Sequence, residues 1–277
     1  MRKQVYQHLL IVLFIILVSA LGAHAQQAKN PFVLGVTEEI TSKELSEKRI
    51  LNIYLPEGYK KDNTKKFPVI YLLDGSSDED FIHVVGVVQF LTMIQEMPET
   101  IVVGIANVDR RRDFTFPTTI DSDKKAYPTT GRSERFISFL EKELQPYIEH
   151  NYRTNESKTL IGESLGGLLA TEILLKKPQL FNTYVIVSPS LWWDHESLLA
   201  KAPALLKSLP ANDMKVYIAV GSEGTVMETD SKQLYTDLKP YESGHLQLYF
   251  ASMPEENHLT ILHQCVYRAL ERLNGKK

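Results

Sequence analysis

The sequence predicts a doubly wound α/β fold built on a mostly parallel sheet, and three observations predict it. Strand-length apolar runs alternate with amphipathic stretches of helix length from residue 67 to the end of the chain. The run Phe67–Leu73 is apolar almost throughout, as befits a central strand covered on both faces. With 43% hydrophobic and 23% charged residues in 277 positions, the chain can bury one sizeable core without a large separate cap domain.

Residues 1–25 read as an export signal, so the mature protein is expected in the periplasm or outside the cell. Arg2 and Lys3 form the positive start, Leu9–Val18 is an unbroken apolar run, and Ala23-His24-Ala25 is a small-x-small cleavage site. The run is too short to span a bilayer as a mature helix; an uncleaved anchor is the alternative. Without Arg2 and Lys3 the chain carries 29 basic against 34 acidic residues, a net charge of −5. That balance argues against nucleic acid or an anionic membrane as partner. The single cysteine, Cys265, has no partner for an intramolecular disulfide and reads as a buried apolar residue.

Residues 26–47 are a mixed lead-in with a short β-like piece at Phe32–Val36, and residues 48–277 form the main domain. Arg49–Leu55 is a strand stopped by Pro56, and Lys60–Lys66 a charged hairpin loop. After Phe67–Leu73 come a helix over Glu79–Glu96 and a buried strand at Thr100–Ile105. Residues 107–133 show no period, and a stretch that long without regular structure suggests a functional loop. Ser133–Tyr147 is an amphipathic helix carrying Phe136, Phe139, Leu140 and Leu144 on one face. Further strands are predicted at Thr183–Val187, Lys215–Val220 and Leu246–Phe250, with helices near 196–208, 226–238 and Leu259–Leu273.

The stretch Thr159–Gly167 joins an apolar strand to a helix through Gly162-Glu163-Ser164-Leu165-Gly166. This is the strand–turn–helix setting of a nucleophile elbow, which holds a serine above the sheet edge. The tight turn calls for glycine at 162 and 166. On such a sheet the acid and the histidine follow the serine in that order. His195 precedes the acid-bearing strand, His245 lies at the wrong end of the last strand and His263 lies within the last helix. His258, between the final strand and the final helix, is the candidate general base. Glu223, just past Lys215–Val220, is the candidate orienting acid. Glu228 reads more simply as part of a capping box with Thr225, and Asp230 as a helix-start acid; a Ser-His dyad without a third member stays open.

The backbone N–H of Leu165, with that of Gly75 or Ser76, is the candidate oxyanion hole. Arg110 and Arg112 could clamp an anionic substrate, and Glu163 is a plausible pocket residue. Of the adjacent Trp192 and Trp193, one could pack inward while the other meets substrate. No metal or nucleotide motif stands out, and no cofactor is expected.

Leu72-Leu73-Asp74-Gly75, Arg110–Pro117, Phe136–Tyr147 with Asn151-Tyr152-Arg153, Gly162–Gly167, Ser188–Trp193 and Asn257-His258 together resemble the esterase D-like family of α/β hydrolases. The branch most similar includes bacterial hydrolases of trilactone siderophores; other members cleave feruloyl or acetyl esters of plant polysaccharides or hydrolyse S-formylglutathione. The resemblance implies an α/β-hydrolase fold and a secreted serine esterase acting on small-molecule or polysaccharide-linked esters, with Ser164 attacking the carbonyl and His258 moving the proton. Two positions depart from the pattern. Phe116 stands between Thr115 and Pro117 where the siderophore branch tends to place them together, and a Glu stands where relatives often carry Asp. An acyltransferase on the same fold and a non-catalytic binding module are the rival readings.

Overall fold

The computed structural model describes residues 1–20, 30–210 and 212–275. The chain divides into two units, Met1–Leu34 and Gly35–Lys277. In the first, Arg2–Ala20 is helical; the expected cleavage site at 23–25 lies outside the described residues. No helix among the described residues is long and apolar enough to cross a membrane.

The second unit is an α/β-hydrolase sheet of eight strands. In chain order these are β1 (Val36–Ser42), β2 (Glu47–Tyr54), β3 (Phe67–Leu72), β4 (Ile101–Ile105), β5 (Thr154–Glu163), β6 (Thr183–Val187), β7 (Met214–Gly221) and β8 (Leu246–Met253). In space they run β1-β2-β4-β3-β5-β6-β7-β8. β1, β2 and β4 pair antiparallel, and every pair from β4–β3 onward is parallel. β3 therefore has neighbours on both edges and helices over both faces. Its Val69, Ile70, Tyr71 and Leu72 are all buried, which is why its sequence does not alternate.

Two expectations for the amino-terminal part need correction. The first strand starts at Val36 rather than Phe32, so much of the lead-in belongs to the sheet. Its Glu38 and Glu39 put charge on the outer edge, which discourages pairing with other chains. The charged segment after β2 is no hairpin: β2 pairs with β4, and a short helix, Gly58–Lys61, helps carry the chain across to β3.

Helices Phe81–Met93 and Ile261–Asn274 pack together on one face, and helices 133–151, Leu165–Lys176, Trp193–Leu205 and Thr225–Leu238 cover the other. The Ser133 helix runs on to Asn151 through a π-helical turn at Leu140–Leu144. Pro146 follows that turn and has no N–H to offer Lys142, so the hydrogen-bond ladder is rephased there. The long loop holds two short helices, Arg110–Phe114 and Asp121–Ala126; the Asp109 side chain caps the first by accepting from Arg112 N–H at 3.0 Å.

Register sets the site. Glu163 of β5 lies beside Val187 of β6, Val187 beside Ala219 of β7, and Gly221 of β7 beside Met253 of β8. The residues that follow each strand, Ser164, Ser188, Glu223 and His258, therefore emerge along one edge of the sheet.

Candidate active site

Ser164 has φ 57° and ψ −117°, a conformation that costs a non-glycine residue about 1–3 kcal/mol. The backbone around it holds the turn closed: Ser164 N–H donates to Val187 O at 3.0 Å, and Leu168 N–H donates to Ser164 O at 2.9 Å. The glycine requirement falls on 162 and 167 rather than 162 and 166. A Cβ on Gly162 would come 2.5 Å from Gly166 O, and one on Gly167 would come 2.8 Å from Val187 O. At Gly166 the nearest atom would be 3.4 Å away, so it is the partner of the close approach and not its cause.

Ser164 Oγ lies 3.0 Å from His258 Nε2, and His258 Nδ1 lies 2.5 Å from Glu223 Oε2. The second Glu223 oxygen accepts the Ser188 hydroxyl and, at 3.0 Å, Gly221 N–H. Burial works against ionisation of Glu223, but the hydrogen bonds from His258, Ser188 and Gly221 outweigh it and lower its pKa. The hydrogen bond to Glu223 correspondingly raises His258, with Glu163 adding to the rise and Arg110 opposing it. Glu228 accepts from Glu223 N–H at 3.1 Å and Gly224 N–H at 3.0 Å, so it braces the acid's loop and makes no contact with the imidazole. Asp230 is buried on the helix, pushed up to about 6 by burial and by Glu196.

Of the oxyanion candidates, Leu165 N–H opens the Leu165–Lys176 helix, where the first amides lack intrahelical acceptors. Gly75 N–H is occupied, donating to Ile105 O at 3.0 Å. Ser76 N–H has only the Glu79 carboxylate at 3.4 Å. Gly75 serves another end: a Cβ there would come 2.4 Å from Gly104 Cα, so two glycines let this loop lie against β4.

A pocket of about 210 Å³ opens over Ser164, bordered by Arg110, Arg111, Tyr127, Ser190 and Trp192. Trp193 is buried with its Nε1–H donating to Phe116 O at 2.9 Å, whereas Trp192 is 38% exposed at the pocket wall. Phe116, the extra residue in the loop, is thus a core residue and an anchor for Trp193. Arg110 reaches Asp74 with two donors and Glu163 O with one of them.

Arg112 is not in the pocket, which corrects its reading as a substrate clamp. It donates to both Glu47 oxygens at 2.9 and 2.6 Å and to Asp113 at 2.7 Å, in a cluster with the fully buried Arg49. Sequence reasoning missed Arg111, Tyr127, Thr130 and Ser190 at the pocket. Arg111 and Ser190 carried a signal, as parts of Arg110–Pro117 and Ser188–Trp193; Tyr127 and Thr130 carried none. Glu163, the last residue of β5, is not among the residues that line the pocket, and one of its oxygens is buried without a hydrogen-bond partner. Burial, then Asp80 and Asp74, push it up to about 7 against the pull of His258 and Arg110. A wider cleft of about 380 Å³ lies at the amino ends of the strands with the His245–Asp213 pair, away from Ser164.

The strand order and the residues gathered at the carboxyl edge define an α/β hydrolase. The chain belongs to the family described as "Putative esterase", whose model matches residues 42–264, and it is a carboxylic ester hydrolase. It is similar to the ferri-bacillibactin esterase BesA of Bacillus subtilis, 29% identical over 267 residues that cover 87% of this chain and 90% of that protein. Among solved structures it is similar to an IroE-like serine hydrolase from Shewanella oneidensis, with 30% identity, TM-score 0.78 and coverage of 87% of this chain and 80% of that one. The BES protein from Bacillus cereus matches with 26% identity, TM-score 0.79 and coverage of 91% and 100%.

Proposed function

We propose that the chain is an exported serine esterase that opens siderophore-type ester or lactone bonds through an acyl-enzyme. The observation that carries the mechanism is the line Ser164 Oγ, His258 Nε2, His258 Nδ1, Glu223 Oε2, with steps of 3.0 and 2.5 Å. Ser164 Oγ bonds to the carbonyl carbon as its proton passes to Nε2, and the carbonyl π electrons move to oxygen, facing Leu165 N–H and Ser76 N–H. Collapse expels the alkoxide, which takes the proton from Nε2. Water then repeats the sequence, giving its proton to the imidazole, releasing the acid and restoring Ser164. Glu223 holds the imidazole in the tautomer whose Nε2 accepts.

The substrate class rests on the name of the curated relative, ferri-bacillibactin esterase, and on the two arginines and three aromatic residues around the pocket. Guanidinium and aromatic faces suit electron-rich, partly ionised aryl acyl groups. Export rests on the amino-terminal charge and apolar pattern.

The test is an ester panel, from short p-nitrophenyl esters to feruloyl and catechol-lactone substrates, run on wild type and Ser164→Ala, with fluorophosphonate labelling of both. Labelling confined to wild type and preferred turnover of catechol lactones is expected. An unlabelled but folded wild type would sink the serine mechanism, and preference for feruloyl esters would sink the substrate class. Added acceptor alcohol diverting the acyl group from water would indicate transfer. The mass of the chain recovered from cell fractions tests export.

A further inference from the structure

The Ser188-Pro189-Ser190 segment touches both ends of the proposed catalytic line. Ser188 follows β6 with φ 40°, a left-handed conformation that favours glycine, and its side chain is fully buried. Its N–H is anchored on Ala219 O at 2.8 Å, one strand over. From there its hydroxyl donates to the Glu223 oxygen that does not face His258. Two residues on, Ser190 N–H donates to Ser164 O at 3.0 Å, and Ser190 Oγ lies 3.3 Å from Ser164 Oγ. Pro189 between them is wedged against Gly167, where a Cβ would come 2.9 Å from Pro189 Cα.

We propose that Ser188 is a positioning residue that acts through Glu223: its hydroxyl holds the carboxylate in the rotamer that faces His258. The inference rests on the Ser164–His258–Glu223 reading given above. A carboxylate on a loop between Gly221 and Gly224 has few constraints of its own. One oxygen is fixed by the imidazole, and the other is fixed only by Ser188 and by Gly221 N–H. The strained backbone at 188 points the same way. A glycine there would be more comfortable, yet it would lack the hydroxyl.

The experiment compares Ser188→Ala, Ser188→Gly, Glu223→Gln and the Ser188→Gly/Glu223→Gln double variant. Each is measured by kcat and KM on p-nitrophenyl butyrate across the neutral pH range, and by Tm. Ser188→Gly is the decisive variant because it removes the hydroxyl while relieving the backbone, so its Tm should hold. We expect its kcat to fall about tenfold with KM changed less than about twofold. The acid limb of its pH profile should move to lower pH, as in Glu223→Gln, because His258 loses a well-placed partner while Glu163 and Arg110 still face it. The double variant should be no slower than Glu223→Gln alone. Full turnover in Ser188→Gly, or a loss that adds undiminished to that of Glu223→Gln, overturns the proposal. Wild-type turnover in Glu223→Gln would instead overturn the triad itself and the proposal with it.

Discussion

Arg110 and Asp74 form a two-point ion pair, with Nε to Oδ1 at 2.6 Å and Nη2 to Oδ2 at 2.8 Å. The same Nη2 donates to Glu163 O at 3.2 Å, the peptide that leads into Ser164. The pair thereby ties the loop after β3 to the turn at Ser164. Arg110→Lys keeps the charge but loses the fork. It should cost about 1–3 kcal/mol of stability, allowing for the exposure of one-third of the arginine side chain, and lower kcat/KM. Removing both partners, as Arg110→Met with Asp74→Asn, should cost less stability than removing Arg110 alone, because no buried charge is stranded. Thermal unfolding of the three variants checks this.

Glu163 makes stability fall as pH rises. Its folded pKa of about 7 lies above its ordinary 4.5, so the folded protein holds this proton over a window in which the unfolded chain has released it. The favourable contribution is complete below 4.5 and is lost as pH climbs through about 7. Glu163→Gln, which does not titrate, should match wild type in acid and be about 2–3 kcal/mol more stable above neutrality. A difference in Tm that fails to widen with pH would contradict this.

His258 is raised above its ordinary 6.5, chiefly by the Glu223 hydrogen bond. The acid limb of kcat/KM should therefore lie above that value in wild type and drop in Glu223→Gln. On the proposed mechanism, in which the acid orients and does not itself bond to substrate, turnover should fall about 10⁶-fold in Ser164→Ala and by about 10³ to 10⁴ in Glu223→Gln. Equal losses in the two would argue that Glu223 does more than orient.

Neighbouring arginines should respond in opposite ways. Arg111 is exposed at the pocket and over the Tyr127 ring at 4.7 Å. Arg111→Ala should raise KM for anionic aryl esters and leave Tm nearly unchanged. Arg112→Ala should lower Tm, because Glu47 and Asp113 lose a cation beside buried Arg49, and should leave KM close to wild type. Michaelis parameters and melting curves on both separate the roles.

Local chemistry was legible in the sequence; pairings between distant segments were not. The doubly apolar β3, the close approach at Gly162 and the place of His258 after the last strand all follow from residues close together in the chain. The edge position of β1 and the crossover after β2 depend on which strand β4 joins, 50 residues further on. Arg112 looked like a pocket residue because it lies two positions from Arg110. Its direction is set by Glu47, 65 residues away, and by Asp113. Tyr127 reaches the pocket on a loop without periodicity, so no pattern could have singled it out.

Ser222 N–H donates to Glu256 O at 2.7 Å, so the loops carrying the carboxylate and the imidazole are bonded to each other directly. β7 and β8 already pair along their whole length, and this bond closes residues 214–258 into a circuit that never passes through the serine turn. The loops carrying Glu223 and His258 are thus braced to each other by backbone, and the Ser188–Ser190 segment ties them to the turn at Ser164.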